Sequence, residues 1–257
     1  MTERMQDYGN GFHHIRGEFR LGGVVNIGTH CAIVELPDGG FLFLDSYDLP
    51  DAIRREIDAL TDGGSQVKAI ANLHPFHTMH CEWMHRTFPN ADLYGTRRHH
   101  DKLPHLPWQE SLCESDALQK RFGDTMQFSV PRGVDLVCEK ESVHFGSVLA
   151  FHPASGTIFV DDTLSYLKAP FPLSRLPMTG RLDFHPALPG ALKRERGAAK
   201  AFREWAYELA EQWQDTRRIA TAHNATLELE RGQFPELIGA ALGRVRGLLD
   251  RHEAIWS

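Results

Sequence analysis

His74-Pro75-Phe76-His77-Thr78-Met79-His80 directly follows the run Val67-Lys68-Ala69-Ile70-Ala71-Asn72-Leu73. The run has the composition of a buried strand, and a loop leaving its far end can turn several side chains toward one point. Three imidazoles in so short a stretch would be costly to bury as cations. Neutral imidazole nitrogen, by contrast, is a good ligand for zinc, iron and similar ions. A histidine-rich surface turn explains the same spacing without a metal, and His13-His14 and His99-His100 read as turns of that kind.

Upstream, FRLGGVVNI (19–27) and HCAIVEL (30–36) are β-rich, PDGG (37–40) is a hairpin turn, and FLFL (41–44) is a buried strand ending at Asp45. Ile53, Ile57 and Leu60 recur at helical spacing after Pro50, so a helix is expected over 50–60. Downstream, a helix is expected over 79–87 and a short strand in ADLYG (91–95). Residues 97–125 read as loop with a short helix at 115–121. Strand signals return in VDLVCE (134–139), VHFGSVLAFHP (143–153) and GTIFVDD (156–162). Residues 169–190 are rich in proline and have no sustained period, so this segment either covers a site or makes a homodimer contact. A helix over 191–214, a strand at 217–223 and a final helix over 234–251 close the chain. This order suits two packed sheets with helices outside: an α+β fold of αββα four-layer sandwich type, forming one domain over 1–257 with halves of about 15–130 and 131–257.

The chain has 257 residues, 42% hydrophobic and 24% charged, and a net charge of −6 with histidines neutral. That is the balance of a globular protein with a real core, and its sign gives no footprint for nucleic acid. No run is long and apolar enough for a signal peptide or a membrane span, so a cytoplasmic protein with no membrane partner is expected. Cys31, Cys81, Cys113 and Cys138 are widely spaced and read as reduced, buried thiols.

The ordered set of motifs resembles the metallo-β-lactamase superfamily, which places H-x-H-x-D-H after a strand of this kind. That family also has an aspartate ending an earlier strand, matched by Asp45, which orients a ligand or simply ends the strand. VHFGSVLAFHPASGTIFVDDTL resembles the stretch from the family's third-motif histidine to its G-D-T-L, which nominates His144 and Asp162 and leaves His152 a strand residue. TAHN (221–224) resembles the closing P-G-H-G and nominates His223. The resemblance therefore implies metal ligands His74, His77, His80, His144, Asp162 and His223, with Asp45 and Asp162 in catalytic roles. It implies one or two zinc ions, with iron or manganese also open. Asp161 reads as an exposed neighbour of Asp162, and Asp162 also as an N-cap.

Two departures matter. One extra residue separates His74 from His77, and Met79 stands where the family has aspartate. A thioether cannot replace a carboxylate on a hard or borderline cation. Met79→Asp is accordingly expected to raise metal stoichiometry. The resemblance implies a metal-dependent hydrolase, in which metal-bound hydroxide attacks a small ester, thioester, lactone or similar substrate. A non-catalytic binding protein with an eroded site and a diiron redox protein are the alternatives. Phe76, Trp83, Trp108, Tyr166 and Phe171 either line a mouth or fill the core, and Arg97, Arg98 and Lys168 either hold an anionic substrate or are solvated.

Overall fold

Phe41-Leu42-Phe43-Leu44 is apolar at every position, and in the computed structural model it is a strand with all four side chains buried. The structure describes residues 4–18, 20–21, 25–26, 28–166, 180–222 and 225–257. The chain divides into two compact units at Gln127/Phe128.

The first unit contains strands β1 (Arg4–Asp7), β2 (Phe12–Gly17), β3 (Arg20–Leu21), β4 (Val25–Asn26), β5 (Thr29–Glu35) and β6 (Phe41–Leu44), then helix α1 (Asp51–Leu60). Strand β7 (Val67–Ala71), helix α2 (Cys81–Thr87), strand β8 (Asp92–Tyr94), and helices α3 (Arg97–Lys102) and α4 (Ala117–Phe122) complete it. Its main sheet has the order β1-β2-β5-β6-β7-β8. The first four strands are antiparallel neighbours, while β6, β7 and β8 are parallel. The crossover through α1 makes β6 and β7 parallel, so Asp45 and the segment leading to His74 emerge from the same end of the sheet.

Side chains alternate across a sheet, which sorts β5 into two sets. Cys31 and Ile33 join Ile15, Phe43, Ile53, Ile57, Ile70 and Met84 in one hydrophobic core under α1 and α2. His30, Ala32 and Val34 face the other way and are also buried. At about 25 cal/mol for each Å² of apolar surface removed from water, this core holds the sheet against the helices.

The second unit contains β10 (Leu149–His152), β11 (Thr157–Val160), β12 (Leu164–Tyr166), β13 (Leu182–Phe184), helices α5 (Leu188–Ala191) and α6 (Ala198–Gln212), strands β14 (Arg218–Thr221) and β15 (Thr226–Glu228), and helix α7 (Gln233–Ile255). With β9 (Gln127–Ser129) at its edge, its main sheet runs β15-β14-β11-β10-β9. Phe202, Trp205, Leu209 and Trp213 pack with Ile158, Val160, Ile219, Phe234 and Ile238. Arg203 ties α6 to α7 through Asp250 and Glu253 at 2.5 and 2.7 Å.

Several expectations are corrected. VDLVCE forms no strand: Val134 makes one isolated bridge to Leu192, and Cys138 bonds back to the Asp135 carbonyl. The expected strand over 143–153 is confined to Leu149–His152. The long C-terminal helix begins at Ala198 rather than 191 because Gly197, at φ 82°, stands outside it. His13 and His14 lie in β2, and His99 and His100 lie in α3. Neither pair is a surface turn, since His14 and His99 are fully buried. Lys168, Phe171 and much of the proline-rich segment lie outside the described residues. Among the described residues, no helix is long and apolar enough to cross a membrane.

Candidate metal centre

Asp45 ends β6 in the left-handed conformation, at φ 59°, which Asp tolerates better than most residues. Its backbone N–H donates to the Ala71 carbonyl at 2.8 Å. Its Oδ1 accepts the Leu73 N–H at 2.6 Å, and its Oδ2 lies 3.8 Å from His77 Nδ1. The carboxylate is 1% exposed. It therefore ties the ends of β6 and β7 together and faces the imidazole of the following loop.

That loop is tightly turned. The His77 N–H donates to the His74 carbonyl and the Thr78 N–H to the Phe76 carbonyl, each at 3.0 Å. The His74 and His77 rings are 4.2 Å apart between centroids. His74 is fully buried, and its Nδ1 accepts the Phe76 N–H at 3.3 Å. His80 stands just before α2 with its ring edge-on to Tyr47 at 5.4 Å. Burial lowers its pKa, with Asp48 opposing and His77 adding to the shift. Met79 is 73% exposed, so its side chain contributes nothing to a buried centre. As a set, the three motif histidines do not bring their ligand atoms within 4.8 Å of one another.

Sequence reading missed three further imidazoles here. His30 and Asp45 place ligand atoms within 4.8 Å of each other. His30 Nδ1 lies 3.1 Å from His14 Nε2, and His14 Nδ1 lies 3.2 Å from the Tyr8 hydroxyl. His99 is the third. Its Nδ1 accepts the Thr96 N–H at 3.1 Å, and burial lowers its pKa to about 4, with Asp45, His74 and His77 close enough to act on it. His30 carried one usable signal, its place directly before the apolar run Cys31–Val34, whereas His14 lay in the mixed stretch FHHIRG and carried none. His99 carried none, because it lay in a segment read as loop.

The first unit contributes His30 and Asp45 to a buried cluster of histidine and aspartate side chains capable of coordinating a metal ion. Imidazole nitrogen with carboxylate oxygen suits a borderline divalent cation such as zinc or ferrous iron. The neighbouring polar groups are well partnered. Ser46 donates to Asn72 Oδ1 at 2.7 Å, and Asn72 donates to the Tyr94 carbonyl at 3.1 Å. The Cys81 thiol lies 3.4 Å from Asn72 Oδ1, and burial pushes its pKa to about 12.

The aromatic and basic candidates have structural partners. The Arg98 guanidinium stacks over Phe76 at 4.4 Å, and Trp108 donates to the Leu103 carbonyl at 2.8 Å. Trp83 packs against the first unit's core, and Tyr166 against the second's. The Arg97 backbone N–H donates to Glu114 at 2.8 Å.

In the second unit, Asp161 and Asp162 follow β11, and both are buried, so Asp161 is not the exposed neighbour expected. Thr163 fixes this turn: its hydroxyl donates to the Phe145 carbonyl at 3.0 Å and accepts the Ser147 N–H at 3.1 Å. The two aspartates line a cavity of about 390 Å³ with Tyr166, Phe184, His185 and Arg244. His144 Nε2 donates to the Glu141 carbonyl at 2.7 Å. His152 is a buried residue of β10, with Nδ1 2.8 Å from Ser155 Oγ. His223 lies outside the described residues.

Comparison with solved structures adds the frame. A metallo-β-lactamase from Erythrobacter litoralis is 13% identical, with a TM-score of 0.60 over 97% of this chain and 96% of that one. The chain has the metallo-β-lactamase fold. A metallo-β-lactamase from Pontibacter korlensis matches with a TM-score of 0.57 at 12% identity, over 97% of this chain and 99% of that one. The mono-zinc form of a metallo-β-lactamase from Pseudomonas aeruginosa matches with 0.57 at 10% identity, over 95% and 96%. No protein-family model and no curated protein matches the sequence. Within the metallo-β-lactamase fold this chain is divergent, with Met79 exposed at the aspartate position of the central motif and extra buried imidazoles nearby.

Proposed function

We propose that the protein is a metal-dependent hydrolase of small ester, thioester, lactone or similar substrates. The observation that carries this reading is the placement of the partly exposed His77 beside the buried Asp45 carboxylate at the common end of β6 and β7. A carboxylate and several imidazoles gathered out of water are costly to keep unless they serve a ligand. When bound, a divalent cation supplies Lewis-acid chemistry, acidifying water and polarising the scissile carbonyl. Asp45 holds the ligand loop through Leu73 and orients His77, while the apolar core behind it keeps that loop in one arrangement. His144, Asp162 and His223 enter the proposal through the order of their motifs along the chain, with Asp162 as the residue that orients the nucleophile. Zinc is the proposed ion, and a small molecule the proposed partner.

The test is metal analysis of protein expressed with supplemented zinc, joined to esterase and lactonase assays. At least one equivalent of metal and an activity that vanish together in His77→Ala support the reading. Less than about 0.1 metal per chain sinks it, because several imidazole ligands should retain their ion. Activity that survives metal loss sinks it as well. Exposure of Met79 favours a second reading, a binding protein without catalysis, for which metal binds but no hydrolysis is found.

A further inference from the structure

We infer that the cavity of the second unit is a binding site for a small molecule carrying a carboxylate, which Arg181 and Arg244 hold where β13 meets α7. As a statement about substrate this rests on the hydrolase reading above; the binding itself rests on the second unit alone.

Two guanidiniums share one carboxylate at this place. Arg181 Nε donates to Asp183 Oδ2 at 2.5 Å, and Arg244 Nε donates to Asp183 Oδ1. Arg244 Nη2 also donates to the Leu182 carbonyl at 2.5 Å, which fastens α7 to β13. A guanidinium has five N–H groups and keeps its charge at any pH a folded protein meets. Two of them on one aspartate therefore leave one positive charge uncompensated within the group. Both Nη nitrogens of Arg181 and Nη1 of Arg244 have no hydrogen-bond partner among the described residues. Asp183 thus holds two forks beside each other with N–H donors to spare, and paired N–H donors match a planar carboxylate.

The rest of the cavity sets what the carboxylate is attached to. Its volume of about 390 Å³ is in the range that encloses a small ligand, and Leu164, Phe184 and Val245 give it apolar wall. Asp161 and Asp162 line it where β11 ends. Ser165 of β12 stands opposite Asp183 of β13, and it is three residues from Asp162, a backbone separation of at most about 10 Å. The cavity therefore carries acid at the end of β11 and surplus positive charge where β13 meets α7, over a distance that a short-chain acid spans. The acidic pair repels a carboxylate and leaves it the arginine side. With one surplus positive charge and two further carboxylates in the lining, a monoanion is favoured over a phosphate dianion. A molecule bound this way turns its uncharged end toward Asp162, the residue proposed to orient the nucleophile. The substrate class is accordingly an ester, thioester or lactone with a carboxylate remote from the bond to be cleaved.

The test is isothermal titration calorimetry of the full-length protein at neutral pH with 4-phenylbutyrate, its uncharged amide 4-phenylbutanamide, and inorganic phosphate. The acid should bind at least about tenfold more tightly than the amide, and phosphate should not displace it. Arg181→Gln and Arg244→Gln should each weaken the acid about tenfold and leave the amide unchanged. Both side chains are partly exposed, so the variants should fold, which circular dichroism checks; if one does not, the other decides. Equal affinity for acid and amide, wild-type affinity for the acid in the folded variants, or displacement of the acid by phosphate overturns the inference. Acid binding by a protein that hydrolyses no ester upholds this site and fails the hydrolase reading. Ester hydrolysis by a protein that does not bind the acid at millimolar concentration fails this inference alone.

Discussion

Asp45 Oδ1 accepts the Leu73 N–H at 2.6 Å across the ends of two parallel strands, one residue before His74. A hydrogen bond to a charged acceptor contributes about 1.5 to 3 kcal/mol. Asp45→Ala should therefore lower unfolding free energy by about 2 to 4 kcal/mol, since it also places alanine at a left-handed backbone position. Asp45→Asn keeps an acceptor and a residue that tolerates φ 59°, so its cost should be below about 1.5 kcal/mol. Urea denaturation of both variants checks this, and equal losses would show that the Leu73 bond is not what matters.

Met79→Asp should leave metal stoichiometry unchanged. The side chain at position 79 is 73% exposed, so the new carboxylate stays in water. This reverses the outcome expected from the motif alone. Mass-spectrometric metal analysis after zinc loading decides, and an added equivalent would mean that the loop rearranges around the ion.

Gly17 permits the close approach of Tyr47. A Cβ at position 17 would stand 2.2 Å from Tyr47 Cζ, and that ring meets His80 edge-on. Gly17→Ala should destabilise the protein by about 1 to 3 kcal/mol through forced displacement of the ring. Near-ultraviolet circular dichroism should change with it, and an unchanged urea midpoint would contradict the packing.

Acid should weaken the second unit through His152. Burial lowers its pKa to about 4 from the ordinary 6.5, so the folded protein resists a proton that the unfolded chain accepts. The associated stability is fully present above pH 6.5 and is lost as pH falls toward 4, by up to about 3 kcal/mol at 1.36 kcal/mol per unit. His152→Asn should flatten the urea midpoint across that interval, and a wild-type slope in the variant would refute the assignment.

Much of the fold was legible because its elements follow simple rules. Phe41–Leu44 is apolar on both faces, PDGG can only turn, and the apolar stripe through Phe202, Trp205 and Leu209 has helical period. The strands β1 and β2 were not legible: FHHIRG mixes charge and imidazole with apolar residues, and only pairing with β5 buries them. VDLVCE failed the other way, since β-prone residues there found no partner strand. Asp45, His74 and His77 were visible from spacing and from strand ends. His14, His30 and His99 were not, because their roles depend on which strands and helices become neighbours.

Cys31, Cys81 and Cys113 are all buried, all have raised pKa values, and in each the negative charge of Asp45 adds to the effect of burial. At neutral pH they therefore persist as protonated sulfur, the form that neither binds soft cations well nor reacts readily with oxidants. Burial, with the Asp45 charge adding to it, thus keeps sulfur anions out of these surroundings. Copper(I) and cadmium, which favour sulfur anions, are put at a disadvantage first by the burial of these thiols and then by the nearby carboxylate.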